Sequence, residues 1–193
     1  ENYGDRISPE SKRARLQEIT SQVKWMSVMM DDIGELLQPD ASDFPEAPFT
    51  LAALTQAILN DVSRYDLDIS RISVEAASSI AVTLRGTFDA LRRALVQLLT
   101  NALKFSSGGV HLRLSVAGGM LDASVSDEGV GIPKDEQALV LKPMYRASNI
   151  GEVGGTGLGL ALVDKLVRAV GADFQLISSV GTGTTVTLRW PVS

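Results

Sequence analysis

The sequence predicts an α+β fold in which a domain of helices and strands follows a long helix. Three observations carry this prediction: apolar side chains recur at helical spacing over residues 88–105, apolar and polar side chains alternate near residues 110–127 and 174–190, and residues 16–37 carry a heptad pattern. The 193 residues, 45% of them hydrophobic, suffice for one ordinary domain and an appendage. We therefore divide the chain into residues 1–43 and 44–193.

The composition excludes several classes of function. A net charge of -5, a pI near 4.9 and the lack of a basic run argue against a nucleic-acid surface, which needs clustered Lys and Arg. With no cysteine and one histidine, disulfides, iron-sulfur clusters, cysteine zinc sites and all-histidine metal sites are ruled out. No apolar run approaches the roughly 20 residues of a spanning helix, so we expect this sequence to make no membrane contact.

The first helix is predicted to begin at Ser8, an N-cap candidate followed by Pro9 and Glu10. Its heptad seam consists of Leu16, Ile19, Val23, Met26, Met30, Ile33 and Leu37. A second apolar edge, made of Trp25, Met29 and Leu36, widens this face towards a bundle of several helices. The seam either packs on the following domain or meets copies of itself and a partner helix. The proline-marked linker at residues 39–45 favours the second alternative.

The second domain opens with a helix near Phe49, capped by Thr50, whose core face is Leu51, Leu54, Ile58 and Val62. Short strands are predicted at residues 72–76 and 82–84. The long helix at residues 88–105 then has a core face of Phe88, Leu91, Leu95, Leu98, Ala102 and Phe105. Beside that face run Ala94, Gln97, Asn101 and Lys104, a polar stripe that can hold a metal and phosphates. Taken alone, the stripe also fits an ordinary amphipathic helix.

A hairpin follows, and the period of two residues decides where its polar side chains point. His111 faces outward, which is typical of a surface side chain. Asp127 shares a face with the core residues Ala123 and Val125, so its carboxylate needs a hydrogen-bond donor in its pocket. The exocyclic amine of a purine would serve, and the glycines of the next segment, DEGVGIP, would let the backbone approach a flat ligand. A tight turn with a capping or salt-bridged aspartate is the alternative.

Residues 154–163 pass from a glycine-rich loop into an apolar helix, whose first amides and dipole favour a phosphate. The spacing matches neither the dinucleotide fingerprint nor the P-loop. Residues 141–151, between the two glycine segments, form a polar connection long enough to act as a mobile lid. Near the end of the chain, Thr184 lies two and four residues before Val186 and Leu188 in a predicted strand, so the three side chains share one face. Thr184 is therefore expected to face the same pocket as Asp127.

The ordered segments QLLTNALKFS, DEGVGIP, LKPMYR, GGTGLGLALV and GTGTT resemble the N, G1, F, G2 and G3 boxes of sensor histidine kinases. These boxes belong to the catalytic and ATP-binding domain, within the wider group that includes gyrase, MutL and heat-shock chaperone ATPases. The resemblance spans Phe49 to Val192. Residues 5–37 are similar to part of the family's dimerisation and phosphoacceptor hairpin, but the histidine box is absent. We therefore expect the acceptor histidine to lie outside this sequence.

The resemblance implies a two-layer sandwich, the Bergerat-type ATP fold, with helices on one face of a mixed sheet. It implies a nucleotide site made of Asn101, Lys104, Asp127, Gly129, Gly131, Ile132, Tyr145, Arg146, Gly155, Thr156, Gly157, Leu158, Gly159 and Thr184. Asn101 would hold Mg2+, Lys104 and Arg146 would balance phosphate charge, and Asp127 would accept from the adenine amine.

The chain departs from the family pattern at three positions. Gln97 stands where the family usually has Asn and the gyrase branch has Glu. We include Gln97 among the catalytic residues with Asn101 and Lys104, although an amide cannot serve as a general base. Glu128 replaces the commoner Asn, and Leu141 replaces the Phe of the F box, which leaves lid packing in question.

The expected activity is transfer of the γ-phosphoryl group of Mg-ATP to a histidine. The expected partners are a second copy, through the helical hairpin of the intact protein, and a response regulator receiver domain. We expect a cytoplasmic location, either free or as the cytoplasmic part of a membrane-anchored sensor. The alternatives are a serine kinase of the anti-sigma factor class, a nucleotide-binding scaffold without transferase activity and a purely structural dimerisation module.

Overall fold

The computed structural model describes residue 8, parts of the segment 11–34, and residues 44–76, 83–151 and 153–193. Within these residues the helices are α1 (Leu51–Val62), α2 (Phe88–Phe105) and α3 (Gly159–Val170). The strands are β1 (Ala47–Thr50), β2 (Ile72–Ala76), β3 (Thr83–Gly86), β4 (Val110–Ala117), β5 (Met120–Asp127), β6 (Asp173–Ser179) and β7 (Gly183–Pro191). A 3-10 turn, Ile69–Arg71, leads into β2.

The main sheet has five strands in the order β2-β4-β5-β7-β6. Strands β2 and β4 are parallel and the other neighbours are antiparallel, so the sheet is mixed. The helices cover one face of the sheet, as predicted. Alternate strand residues such as Leu112 and Ala123 point to that face and are fully buried. His111 and other intervening residues lie on the opposite face, and His111 is exposed. The sheet register places Asp127 of β5 opposite both Val110 of β4 and Thr184 of β7.

The local signals that predicted the helices are confirmed. Thr50 accepts a hydrogen bond from the amide of Ala53 at 3.1 Å, which caps α1. Helix α2 has the predicted bounds, and most of its predicted core face lies in the main hydrophobic cluster. Phe88 is only partly buried against that cluster, and Phe105, at the end of the helix, is half-buried and lines a cavity. The predicted strand at residues 82–84 is observed from Thr83 and runs on to Gly86, while Val82 lies outside the described residues.

The short strand β1 was not predicted from the sequence. It pairs antiparallel with β3 in a separate two-stranded sheet. Only four residues long and containing Pro48, it shows too little alternation to be recognised as a strand. Backbone hydrogen bonds between Ser193 and Arg85 add the end of the chain to the other side of β3.

The N-terminal segment is helical at every position described between residues 11 and 34. Ser8 accepts from the amide of Ser11 at 3.1 Å, which confirms the predicted N-cap. The described seam residues are 42% to 71% exposed: Leu16, Ile19, Val23, Met26, Met30 and Ile33. The predictions on Trp25, Met29, Leu36 and Leu37 fall outside the described residues. The bundle and the boundary at residue 43 therefore stay predictions.

In the part of the chain that the structure describes, no helix combines the length and the hydropathy needed to cross a membrane.

Arg71 joins the start of β2 to the C-terminus of α2. Its guanidinium donates to the carbonyl oxygens of Gly108, Leu103 and Ser106 at 2.9, 3.3 and 2.6 Å. Carbonyl groups at a helix C-terminus have no partners within the helix and carry partial negative charge, so a cation is favoured there. Arg71 thereby fixes the last turn of α2, which carries Lys104.

We predict that Arg71→Met lowers the free energy of unfolding by about 2–3 kcal/mol, because several carbonyl groups lose a charged donor. Urea unfolding measures this. The matched control is Arg113→Met, since Arg113 pairs with Glu75 where both side chains are 66% exposed. That change should cost less than about 1 kcal/mol. Equal losses in the two variants would contradict the capping role of Arg71.

Candidate functional site

A cavity of about 700 Å³ opens between α2, the ends of β5 and β7, and the loops that precede α3. Most of the residues predicted from the sequence to form the site line this cavity. The predicted residues that line it are Gln97, Asn101, Lys104, Asp127, Gly131, Ile132, Tyr145, Arg146, Gly155, Thr156, Gly157, Gly159 and Thr184. Motifs that are up to 87 residues apart in the chain, Gln97 and Thr184, therefore share one cavity.

Two predicted residues, Gly129 and Leu158, are not part of the lining. The amide of Gly129 instead donates to Asp127 Oδ1 at 2.8 Å, so Gly129 supports a lining residue without lining the cavity itself. The side chain of Leu158 is only 3% exposed, and its amide donates to Thr156 Oγ1 at 3.2 Å. Leu158 thus anchors the start of α3, and it is buried outside the cavity lining.

The polar stripe of α2 forms one wall. Gln97 and Asn101 are half-buried, and the first residue of α3, Gly159, packs directly against them. A Cβ atom at Gly159 would lie 3.0 Å from Gln97 Oε1 and 3.2 Å from Asn101 Nδ2. The lack of a side chain at Gly159 therefore lets the N-terminus of α3 approach the two amides. Carbonyl oxygens of such amides suit a hard cation such as Mg2+.

Asp127 lies in the part of the lining that the end of β5 contributes. Burial raises the pKa of its carboxyl above the ordinary value, and hydrogen bonds from the amides of Gly129 and Thr184 oppose this rise. The neighbouring hydroxyl groups are ordered as well: Thr184 Oγ1 lies 2.8 Å from Ser178 Oγ, and the amide of Ile132 donates to the same Ser178 oxygen at 2.8 Å. The carboxylate is thus a partly desolvated acceptor set in a fixed wall.

Gly131 permits a close approach between the loop after β5 and the end of β6. Its φ is +68°, and a Cβ atom there would lie 2.0 Å from the carbonyl oxygen of Ser179. Any other residue would be excluded by both the backbone angle and the contact. Glycine is therefore required at position 131 by a contact within the protein, and the predicted approach of this segment to a flat ligand stays a prediction.

The segment that was predicted to act as a lid is attached at defined points. The amide of Met144 donates to the carbonyl oxygen of Gly157 at 2.9 Å, and Arg146 Nη2 donates to that of Val153 at 2.6 Å. Asn149 Nδ2 donates to the carbonyl oxygen of Gly131 at 2.9 Å. These bonds link the F-box segment to both glycine loops. Leu141 is half-buried.

Glu136 holds the same segment from the other side. Its carboxylate accepts from the hydroxyl and the amide of Ser148 at 2.5 and 2.9 Å. These two hydrogen bonds lower the pKa of Glu136, and Tyr145 donates to it as well. Tyr145, which lines the cavity, is therefore held by Glu136, a residue that was not among the predicted site residues.

The loop between α1 and β2 was also missed. Arg64, Tyr65, Asp66 and Leu67 all line the cavity. The ring centroid of Tyr65 lies 5.9 Å from Lys104 Nζ. No periodic pattern marks this loop, and its proximity to the polar stripe depends on how α1 packs against α2. The cavity is also lined by Val23 and Ser27 of the N-terminal helical segment.

The sole histidine is placed away from this cavity. His111 lies opposite Ser126 in the β4–β5 register, on the sheet face that the helices do not cover. Its Nδ1 is 2.6 Å from Ser73 Oγ. The prediction that His111 is an outward-facing surface residue is confirmed.

Comparison with known proteins identifies the family. Residues 86–193 match the profile described as histidine kinase-, DNA gyrase B-, and HSP90-like ATPase. The chain is 33% identical to the circadian input-output histidine kinase CikA of Synechococcus elongatus over 94% of this chain and 25% of that protein. It is 32% identical to the histidine-protein kinase/phosphatase MprB of Mycolicibacterium smegmatis over 91% of this chain and 36% of MprB. The chain thus spans well under half of the length of these relatives.

Solved structures show the same architecture. A mycobacterial sensor histidine kinase MprB structure superposes with a TM-score of 0.61 at 25% identity, covering 76% of this chain and 98% of that one. Full-length ShkA in complex with AMPPNP superposes with a TM-score of 0.74 at 24% identity, covering 97% of this chain and 40% of ShkA. The matched profile covers more than half of the chain and includes the polar stripe, both glycine loops and Asp127. The chain therefore belongs to the histidine kinase-, DNA gyrase B- and HSP90-like ATPase family, as an ATP-binding catalytic domain of the sensor histidine kinase type.

Proposed function

We propose that residues 44–193 bind Mg-ATP in the cavity and transfer its γ-phosphoryl group to a histidine on a dimerisation domain. The observation that carries this proposal is the placement of Asp127 and Asn101 on different walls of one cavity. A carboxylate suits the adenine amine, and an amide oxygen suits Mg2+. One extended ligand with a base at one end and phosphates at the other satisfies both walls.

At the adenine end, Asp127 accepts from the exocyclic amine while Thr184 supports the same wall. The partly buried carboxylate gains a charge-assisted hydrogen bond, which compensates for its desolvation. Gly129, Gly131 and Ile132 shape the surface against which the flat base packs. A hydrogen-bonded carboxylate also discriminates against a purine that lacks the amine, because that purine leaves a buried acceptor unpaired.

At the phosphate end, Asn101 provides an oxygen ligand and Lys104 a positive charge. In the described residues, no three His, Asp or Glu side chains cluster as a metal site made of protein ligands alone would require. Mg2+ fits here nonetheless, because it commonly keeps few protein ligands and takes the rest from phosphates and water. When bound, Mg2+ would neutralise phosphate charge.

The catalytic contribution of the chain is positioning and charge stabilisation. Lys104 and Arg146 offset charge on the γ-phosphoryl group while a histidine nitrogen attacks in line and ADP leaves. The glycines at positions 155, 157 and 159 let the loop before α3 close over the phosphates. Gln97 lies beside Asn101, and its amide cannot take a proton from water. We infer that the chain favours transfer to a protein nucleophile over rapid ATP hydrolysis.

The N-terminal helical segment supports the histidine kinase over the serine kinase alternative. Its described seam residues are exposed and keep heptad spacing, as expected of a face that pairs with other helices. We propose that residues 1–43 belong to a dimerisation and phosphoacceptor hairpin and that the intact protein is a homodimer. A response regulator receiver domain would then accept the phosphoryl group, in the cytoplasm. A scaffold without transferase activity is the remaining alternative, since Leu141 alters the F box.

We predict that Asp127→Asn weakens Mg-ATP binding about 10- to 100-fold, because the adenine amine loses a charged acceptor. Isothermal titration calorimetry measures the change. The control is Asp122→Asn on the same strand, since Asp122 lies on the other face and pairs with Arg189 at 3.7 Å. The control should bind as the wild type does. Wild-type affinity in Asp127→Asn would contradict the adenine role.

A second prediction concerns pH. Because burial raises the pKa of Asp127, the folded state binds a proton more tightly than the unfolded state does. The ionised carboxylate therefore lowers stability, and this loss develops as the pH rises from the ordinary value of 3.8 through the raised pKa. Without nucleotide, Asp127→Asn should melt at a higher temperature than the wild type at pH 7, and the gain should shrink towards pH 4. A gain independent of pH would contradict this account.

A third prediction concerns phosphotransfer. Incubated with labelled ATP, this chain alone should acquire no label, because His111 lies on the sheet face away from the cavity. An added hairpin that carries an acceptor histidine should gain an acid-labile label, and Asn101→Ala should abolish it. Acid-labile label on His111 would overturn the first expectation. Acid-stable label on serine would favour the serine kinase alternative, and nucleotide binding without transfer would favour the scaffold.

A further inference from the structure

The loop after α1 brings an aromatic ring to the phosphate end of the cavity. Tyr65 and Lys104 both line the cavity, and the Lys104 ammonium lies 5.9 Å from the centroid of the Tyr65 ring. An ammonium at this distance from an aromatic face is attracted by the ring quadrupole. The ring is half-buried and packs against the main core cluster. Tyr65 is therefore placed to influence where the Lys104 charge sits.

The Tyr65 backbone is fixed by short-range hydrogen bonds. Its amide donates to the carbonyl oxygen of Val62 at 3.1 Å, and its own carbonyl oxygen accepts from the amide of Leu67 at 2.8 Å. Just before this turn, Asp61 of α1 pairs with Arg92 of α2. The ring, in the loop after α1, and the ammonium, on α2, are thus carried by two segments that this ion pair joins. Their relative position is set by the fold before any nucleotide arrives.

The C-terminus of α2 offers carbonyl oxygens to which a lysine in the last turn is normally attracted. Arg71 already donates to the carbonyls of Leu103 and Ser106 there. A guanidinium donor therefore already serves two of these carbonyl groups. The Lys104 ammonium lies over the ring of Tyr65, and both residues line the cavity.

We propose that Tyr65 is a positioning residue that holds the Lys104 ammonium at the phosphate end of the cavity. This inference rests on the proposed function, in which Lys104 balances phosphate charge. In this proposal, Tyr65 acts through its ring face, which contacts the ammonium. Its effect is confined to ligands that carry phosphates and disappears when Lys104 is removed.

The test is a double-mutant cycle on the full chain, with dissociation constants for Mg-ATP and for adenosine measured by calorimetry. Tyr65→Leu keeps apolar bulk but removes the ring, and Tyr65→Phe keeps the ring. We expect Tyr65→Leu to weaken Mg-ATP binding about three- to tenfold, in line with the range for cation–π contacts. Tyr65→Phe should bind Mg-ATP as the wild type does. Adenosine binding should not change in either variant.

The same substitutions in a Lys104→Met variant show whether Tyr65 acts through Lys104 or contacts the nucleotide directly as part of the cavity wall. There, Tyr65→Leu should produce no further loss of Mg-ATP affinity. The inference would be overturned if Tyr65→Leu left Mg-ATP affinity unchanged, or if it lowered Mg-ATP affinity equally with and without Lys104. It would also be overturned if Tyr65→Leu lowered the affinity for adenosine as much as that for Mg-ATP. Failure of the proposed function is distinguishable, since the wild type would then not bind Mg-ATP, or Lys104→Met would bind it as well as the wild type. Thermal melts of each variant establish that it is folded.

Discussion

A carboxylate at the end of a core strand imposes the main constraint on this molecule. Asp127 follows the buried residues Ala123 and Val125 along β5 on the face that the helices cover, so its charge is partly withdrawn from water. Such a group has to be hydrogen-bonded or neutralised. The glycine loop supplies one amide, β7 supplies another, and Gly131 lets the loop close against β6. These contacts hold the carboxylate at the cavity wall, where its exposure to water is reduced.

Helix α2 couples this wall to the rest of the fold. One stripe of α2 is buried in the core, and the neighbouring stripe presents Gln97, Asn101 and Lys104 to the cavity. Because the buried stripe packs in the core, it fixes the position of the polar stripe relative to the sheet. Gly159 then allows α3 to begin directly against the amides, and Arg71 fixes the last turn of α2. Stability and ligand geometry therefore depend on the same helix.

Features set by local periodicity were predictable from the sequence. The alternation of side chains along a strand predicted that Asp127 points inward and His111 outward, and the structure has both. A four-residue motif predicted the cap at Thr50, which is also observed. The resemblance supplied the order of the boxes and the layered fold. It did not say whether a residue contributes its backbone or its side chain, which is why Leu158 was included although its side chain is buried.

Features that depend on packing between distant segments were not predictable. Tyr65 meets Lys104 only because α1 packs on α2, and Arg71 reaches the end of α2 only because β2 pairs with β4. Neither residue lies in a repeating pattern. Strand β1 was missed for a different reason, since four residues with a proline carry almost no periodic signal.

The central claim is that Asp127 and Asn101 hold opposite ends of one Mg-ATP molecule. The most direct measurement is a crystal structure of the chain with Mg2+ and a non-hydrolysable ATP analogue. The account predicts the adenine amine within hydrogen-bonding distance of the Asp127 carboxylate, directly or through one water, and the metal on the Asn101 side-chain oxygen. A nucleotide bound in the reverse orientation, or outside this cavity, would contradict it.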